Sequence, residues 1–204
     1  MKSGEIMKKK EDLRIRKTKA NLYRSLLQLM EEKPFEEIKV IDICKTSMIN
    51  RSTFYDHFND KYELLSSFIQ DLKNELVIHL NHAKSTSSIK EYYLELIRLL
   101  FDYIEKNSNV YTSISIIKMN DHSIAYDMMF DATLEAVKKK MVEEYTNLSN
   151  IPIDTISLFY VSGVTKVLLD FLEKQPEMDK EVVIQHIAGL LPEIDYLVPK
   201  KEKK

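Results

Sequence analysis

Ile49-Asn50-Arg51-Ser52-Thr53-Phe54-Tyr55-Asp56-His57-Phe58, followed by Asp60-Lys61, is the stretch on which the fold turns. Spaced four apart, Phe54 and Phe58 share one side of an α-helix and must face a core. Ser52, Thr53 and Asp56 then point away from that core, with Arg51 and Tyr55 on one flank and His57 on the other. A two-turn helix that displays hydroxyls, a guanidinium, a phenol and an imidazole has little reason to exist for packing alone. The spacing predicts this helix over Arg51 to Phe58. Asn50 is its expected cap, and free amides at the positive dipole end leave room for a phosphate.

The core that the two phenylalanines need lies immediately upstream. Leu22, Leu26, Leu29 and Met30 recur at helical spacing, which predicts an amphipathic helix from about Asp12 to Lys33, stopped by Pro34. Val40, Ile43 and Cys44 form the apolar side of a second, short helix that runs out near Thr46-Ser47. Downstream, Asp60 is a good N-cap for a long helix carrying Leu64, Leu65, Phe68, Ile69, Leu72 and Leu76. A short helix, a turn and a second helix bearing small polar groups at its start is an arrangement that delivers side chains to a DNA major groove.

The rest of the chain reads as helix too. Ser85-Thr86-Ser87-Ser88 is the clearest linker, and Ser88 with Glu91 makes a capping box for a helix through Leu94, Ile97, Leu100, Phe101 and Ile104. Asn107-Ser108-Asn109 interrupts, a short apolar run reaches Ile117, and Asp121 is expected to open a helix that ends near Tyr145. A loop over Asn147 to Pro152 precedes a helix from Asp154 to Phe171. A last helix holds Val183, Ile187, Leu190 and Leu191 before Pro192.

Composition agrees with an all-α chain. Three glycines and five prolines in 204 residues disfavour a turn-rich β fold. The single cysteine, Cys44, fits a reducing cytoplasm, and no apolar run approaches a membrane span. The formal net charge of −2 hides a split: Met1 to Lys61 holds 14 basic and 10 acidic residues, and the remainder is acidic. The basic excess gathers in Lys8, Lys9, Lys10, Arg14, Arg16, Lys17 and Lys19. It suits contact with a polyanion, although a solvated tail has the same composition. Glycine-rich phosphate loops, nucleophile elbows and Cys/His ligand spacings are absent from the sequence, so no enzyme, metal or cofactor is expected.

With those residues in view, the chain resembles the tetracycline-repressor (TetR) family of transcriptional regulators over about Arg14 to Leu72. The most specific part is Thr53-Phe54-Tyr55 with His57-Phe58 and Lys61, preceded by Val40 to Cys44 as the second helix. The resemblance implies a three-helix DNA-binding head with a helix-turn-helix and a larger C-terminal helical bundle for dimerisation and effector binding. It also implies a homodimer on a palindromic operator in double-stranded DNA. Carried over, Arg51, Ser52 and Thr53 approach bases, while Tyr55, His57 and Lys61 hold backbone phosphates. Arginine can bridge guanine O6 and N7, whereas lysine and tyrosine tips suit phosphate oxygens. Lys39, Lys45 and Asn50 complete the expected DNA-contacting set. Three residues depart from the family pattern. Met48 stands where relatives commonly have a turn glycine, Lys39 where they often have a threonine cap, and Asp56 faces outward near the expected phosphates.

The expected organisation is a basic, unstructured arm over 1–11, the head over 12–60, a connecting helix over 61–82, the effector and dimerisation domain over 83–199, and an unstructured tail over 200–204. The connecting helix is the natural lever between effector and DNA. Tyr93, Phe101, Tyr111, Tyr126, Met129 and Phe130 are the candidate effector pocket, with plain core as the competing reading. Phe159, Tyr160, Gly163, Val167, Ile187 and Leu191 are the candidate dimer interface. Mid-helix Gly163 suits close approach of another helix, from a second subunit or from the same one. Cys44 reads as a buried filler before a redox sensor, and His79 with His82 as solvated groups before a metal pair. The function expected is a cytoplasmic, ligand-responsive repressor. The alternative is an activator or coactivator of the same fold, acting through protein contacts with a weakened DNA head.

Overall fold

The computed structural model describes residues 2–83, 88–115, 117–119, 122–144, 151–174 and 179–191, with side chains described from Leu13 onward. Among these residues there are nine α-helices and one minimal β-ladder. The chain divides into two compact units, residues 1–71 and 72–204, with the division inside the fourth helix.

The first unit opens with α1 (Lys2–Glu32), followed by a 3-10 turn over Phe35–Glu37. Then come α2 (Val40–Ser47), α3 (Arg51–Tyr55) and the first half of α4 (Lys61–Leu80). Its core holds the expected Leu22, Leu26, Ile43, Phe54 and Leu64, all completely buried, joined by Ile38 at 1% exposure. α1 stops before Pro34, which lacks the amide a helix would need. Asp60 caps α4, its Oδ1 accepting from the Glu63 N–H at 2.8 Å.

Two boundaries in this unit differ from those expected. Residues 2–11 are helical and continue α1, where an unstructured arm was expected. The segment has no apolar periodicity, but Glu5 precedes Lys9 by four residues, a spacing that favours helix without an apolar stripe. α3 is shorter than expected and closes at Tyr55. The amides of His57 and Phe58 both donate to the Phe54 carbonyl, which ends the helix in a turn.

In the second unit the later part of α4 is followed by α5 (Ile89–Lys106), α6 (Ser108–Ser115), β1 (Lys118–Met119), β2 (His122–Ser123), α7 (Ile124–Glu144), α8 (Ile153–Lys174) and α9 (Lys180–Leu190). Ser88 Oγ accepts from the Glu91 N–H at 3.1 Å and fixes the start of α5. The ladder pairs Lys118 with Ser123 and Met119 with His122, antiparallel. Ser123 caps α7 by accepting from Tyr126 N–H, so this helix begins at Ile124. The expected opener Asp121 lies outside the described residues, as do 85–87 of the serine linker, 147–150 of the expected loop, and the tail 200–204. α7 and α8 make the broadest packing of the unit, pinned by Lys138 on Asp154 at 2.8 Å. α9 is tied to α5 through Lys180, whose ammonium lies 3.1 Å from both Asp102 and Glu105.

Candidate nucleic-acid interface

α3 is held from below and open above. Phe54 is completely buried and Phe58 nearly so, their rings 6.0 Å apart, and Tyr23 of α1 packs against Phe58 at 6.5 Å. Burying each ring is worth about 1.5–3 kcal/mol, ample to seat a helix of five residues that could not stand alone. Arg51, Ser52, Tyr55 and Asp56 are exposed, while Thr53 and His57 are half-buried. The Arg51 guanidinium rests 6.0 Å from the Tyr55 ring centre, which presents it on the flank of the helix. Lys39 and Lys45, at opposite ends of α2, are exposed.

The turn between α2 and α3 is made at Met48, with φ 54° and ψ 35°. This is left-handed backbone, which costs a residue with a Cβ about 1–2 kcal/mol relative to the right-handed form. The Met48 side chain is almost fully exposed, so packing does not offset that cost. Lys39, the N-cap of α2, has no side-chain acceptor. Its own N–H instead donates to Asp42 at 3.1 Å, and the Lys33 ammonium lies 2.8 Å from the same carboxylate. Those contacts, the Lys33 hydrogen bond first, hold the Asp42 carboxyl below its ordinary range.

Two expected roles change. Asn50 stands at the N-cap of α3, but its side chain makes no capping hydrogen bond; the Phe54 N–H is taken by its backbone carbonyl. Lys61 does not point free toward solvent. Its ammonium donates to the carbonyls of Phe35 at 2.9 Å and Glu36 at 2.7 Å and lies 4.7 Å from the Phe35 ring centre. Those partners lie 25 and 26 residues upstream, and the contacts clamp the 3-10 turn onto the start of α4.

Sequence comparison speaks to both units. Residues 22–68 match the family model described as bacterial regulatory proteins of the tetR family. Residues 91–193, half of the chain, match one described as a transcriptional regulator C-terminal region. The chain belongs to the TetR family. It is therefore a TetR-family transcriptional regulator, with the family's DNA-binding head followed by a C-terminal helical domain.

Among curated relatives, the uncharacterized HTH-type regulator YxbF of Bacillus subtilis is 39% identical over 92 residues, 43% of this chain and 24% of that protein. This chain thus spans about a quarter of that relative's length. The HTH-type dhaKLM operon transcriptional activator DhaS of Lactococcus lactis is 26% identical over 152 residues, 73% of this chain and 78% of its own. Of solved structures, a TetR-family regulator from Syntrophomonas wolfei aligns with a TM-score of 0.64 at 18% identity, covering 86% of this chain and 93% of that one. A TetR regulator from Streptococcus agalactiae gives 0.61 at 22%, covering 88% and 96%. These likenesses show the fold.

In the C-terminal domain of this TetR-family chain, the six candidate effector residues do not converge. Tyr111 and Met129 line one crevice with Leu72, Tyr103 and Met128, but its free space is about 10 Å³, room for about one water. Phe101 is core, and Tyr126 and Phe130 stack on each other along α7 at 5.9 Å. Tyr93 is buried elsewhere, 6.2 Å from the Tyr160 ring, and its hydroxyl finds no hydrogen-bond partner among the described residues. Tyr93, Phe101 and Met129 are buried, whereas Tyr111, Tyr126 and Phe130 are half-buried.

The six candidate interface residues do come together. Phe159, Tyr160, Gly163, Val167, Ile187 and Leu191 all line one open groove of about 660 Å³ along α8 and α9. Phe159 is 73% exposed and neighbouring Leu190 is 76% exposed, whereas Ile187 and Leu191 form the buried floor. A Cβ at Gly163 would meet nothing within 4 Å among the described residues, so no close packing among them explains this glycine.

His79 Nε2–H donates to the Leu99 carbonyl and His82 Nδ1–H to the His79 carbonyl. Among the described residues no group of three or more His, Cys, Asp or Glu is placed to hold a metal ion, and no helix is long and apolar enough to cross a membrane. Burial pushes the Cys44 thiol up, opposed by the charge of Arg51, which suits a filler rather than a nucleophile.

Proposed function

We propose that this regulator binds a palindromic operator as a homodimer in the cytoplasm, with α3 in the major groove. Arg51, Ser52 and Thr53 approach base edges; Lys39, Lys45, Tyr55 and His57 take phosphates. The observation that carries this reading is α3 itself, seated on Phe54 and Phe58 with its polar residues exposed. The apolar groove on α8 and α9 seats the second subunit, and the two heads stand about 34–36 Å or a multiple apart. Lys61 acts by holding the turn at Phe35 rather than by touching phosphate.

Regulation is ligand-responsive repression. A small effector that opens the crevice around Tyr111 and Met129 biases the regulator only by binding one dimer arrangement more tightly than the other. Activation is the second reading, favoured by the 26% identity to DhaS, an operon activator.

A salt titration on genomic fragments selected by the purified protein tests DNA contact. Binding should weaken with a slope of about −0.9 per phosphate neutralised. Arg51→Ala should relax base preference by about 1–3 kcal/mol at one position of each half-site. Salt-independent binding, or an unchanged preference in Arg51→Ala, overturns the reading. Transcription from the selected promoter in a purified system, with and without the regulator, separates repression from activation.

A further inference from the structure

We propose that the N-terminal extension of α1 is a second DNA-contacting surface, distinct from the helix-turn-helix, that tracks duplex phosphates with the face carrying Arg14 and Lys17. This inference rests on the DNA-binding reading above and adds a contact that the family match, which begins at residue 22, does not include. α1 spans 31 residues, and among its described side chains, from Leu13 onward, the buried apolar spine begins at Leu22. Some twenty residues of helix, roughly 30 Å at 1.5 Å per residue, are thus built beyond what the core of the head needs.

The direction of this extension is fixed at Asn21. Its Nδ2 donates at 2.8 Å to the carbonyl of Ser47, the last residue of α2 and the one before the Met48 turn. The Asn21 side of α1 therefore abuts the turn that leads into α3. Counting back by helical spacing, Lys17, Arg14 and Lys10 fall at i−4, i−7 and i−11 from Asn21 and so share its face. Arg14 and Lys17 are exposed. On an ideal helical wheel Glu5 and Asp12 fall opposite Asn21, and Glu11 falls about 80° from it, at the edge of the face. Lys17 and Arg14 stand about 6 and 10 Å along the axis from Asn21, within roughly one Debye length of it at about 0.1 M salt.

Duplex DNA is the occupant this surface fits. It continues the side of the head that meets the turn, and its two exposed cations, Arg14 and Lys17, suit contact with a polyanion. Arg16 is an internal control: it is equally exposed and basic, but lies about 130° around the helix from the centre of the Asn21 face.

The test compares the full-length protein with Arg14→Gln/Lys17→Gln and with Arg16→Gln, all binding an arbitrary 30-base-pair duplex across a salt series. The double variant should lower the steepness of the log-affinity plot by about 1.8 per subunit, and Arg16→Gln by much less. Circular dichroism and melting temperature should match the parent, because neither residue touches the core. Equal slopes for parent and double variant, or equal losses in both variants, overturn the inference while leaving the role of α3 intact. Normal duplex binding with lost binding to vesicles of anionic lipid would assign the face to a membrane and likewise overturn it. Salt-independent binding by the parent brings down the parent reading and this one together.

Discussion

On α3 the solvent meets Arg51, Ser52, Tyr55 and Asp56; on α8 and α9 it meets Leu158, Phe159, Val167 and Leu190. Both faces sit above buried floors, Phe54 and Phe58 in the first case, Ile187 and Leu191 in the second. They differ in what water costs them. The polar face loses little by standing wet, since its groups hydrogen-bond to solvent and exchange that solvent for another polar surface. The apolar face forgoes up to about 1.5–3 kcal/mol for each large side chain left uncovered. A partner at the first face should be held by charge and weakened by salt, and one at the second held by area and indifferent to salt.

Undermining the floor of the first face should have the largest effect. Phe54→Ala removes a fully buried ring and should cost the head about 3–5 kcal/mol. Binding to every duplex should fail together, specific and arbitrary alike, while sedimentation still reports the dimer. If base preference alone changed, the ring would be part of the reading surface and not its support.

Spoiling the second face from above gives a smaller, complementary effect. Leu190→Asp places a charge on a side chain that is 76% exposed, so the stability of one subunit should move by no more than about 0.5 kcal/mol. The dimer, however, should loosen by about two orders of magnitude, on the order of 2–4 kcal/mol. Sedimentation velocity would then show a shift from twice 24.0 kDa toward 24.0 kDa in the micromolar range. An unshifted dimer would mean that the groove is covered by something other than a second copy.

The contrast also explains what the sequence made legible. α3 could be read because its determinants are local: two phenylalanines four apart fix which residues face out. The groove on α8 and α9 was legible for the same reason, its residues recurring at i+3 and i+4 on one helix and being joined by a second. The contacts of Lys61 could not be read from the sequence because its partners are two backbone carbonyls contributed by a turn more than two dozen residues away, and a carbonyl has no sequence signature. The helical arm over 2–11 was missed because a solvated helix needs no apolar stripe. The candidate effector residues are spread through the domain because apolar residues on several helices need not surround the same space. Tyr111 and Met129 share a crevice, and Tyr93 and Phe130 do not line it.

The smallest predicted effect concerns the join between floor and face, at Met48. Its left-handed backbone costs about 1–2 kcal/mol, and its exposed side chain recovers none of this by packing. Glycine would adopt the same φ without strain but would enlarge the freedom of the unfolded chain, a penalty of roughly 0.5–1 kcal/mol. The difference leaves Met48→Gly about 0.5–1 kcal/mol more stable than the parent, measurable by urea denaturation. DNA affinity supplies the second readout. Since the substitution keeps the backbone path into Asn50 and Arg51, a regulator that tolerates Met48 merely as a poor turn residue should bind arbitrary duplex as before. If stability rises while affinity for arbitrary duplex falls, the thioether itself lies against the duplex, and the turn belongs to the wet face rather than to its support. If stability does not rise at all, the positive φ carries no strain, and the departure from the family's turn glycine is without energetic consequence.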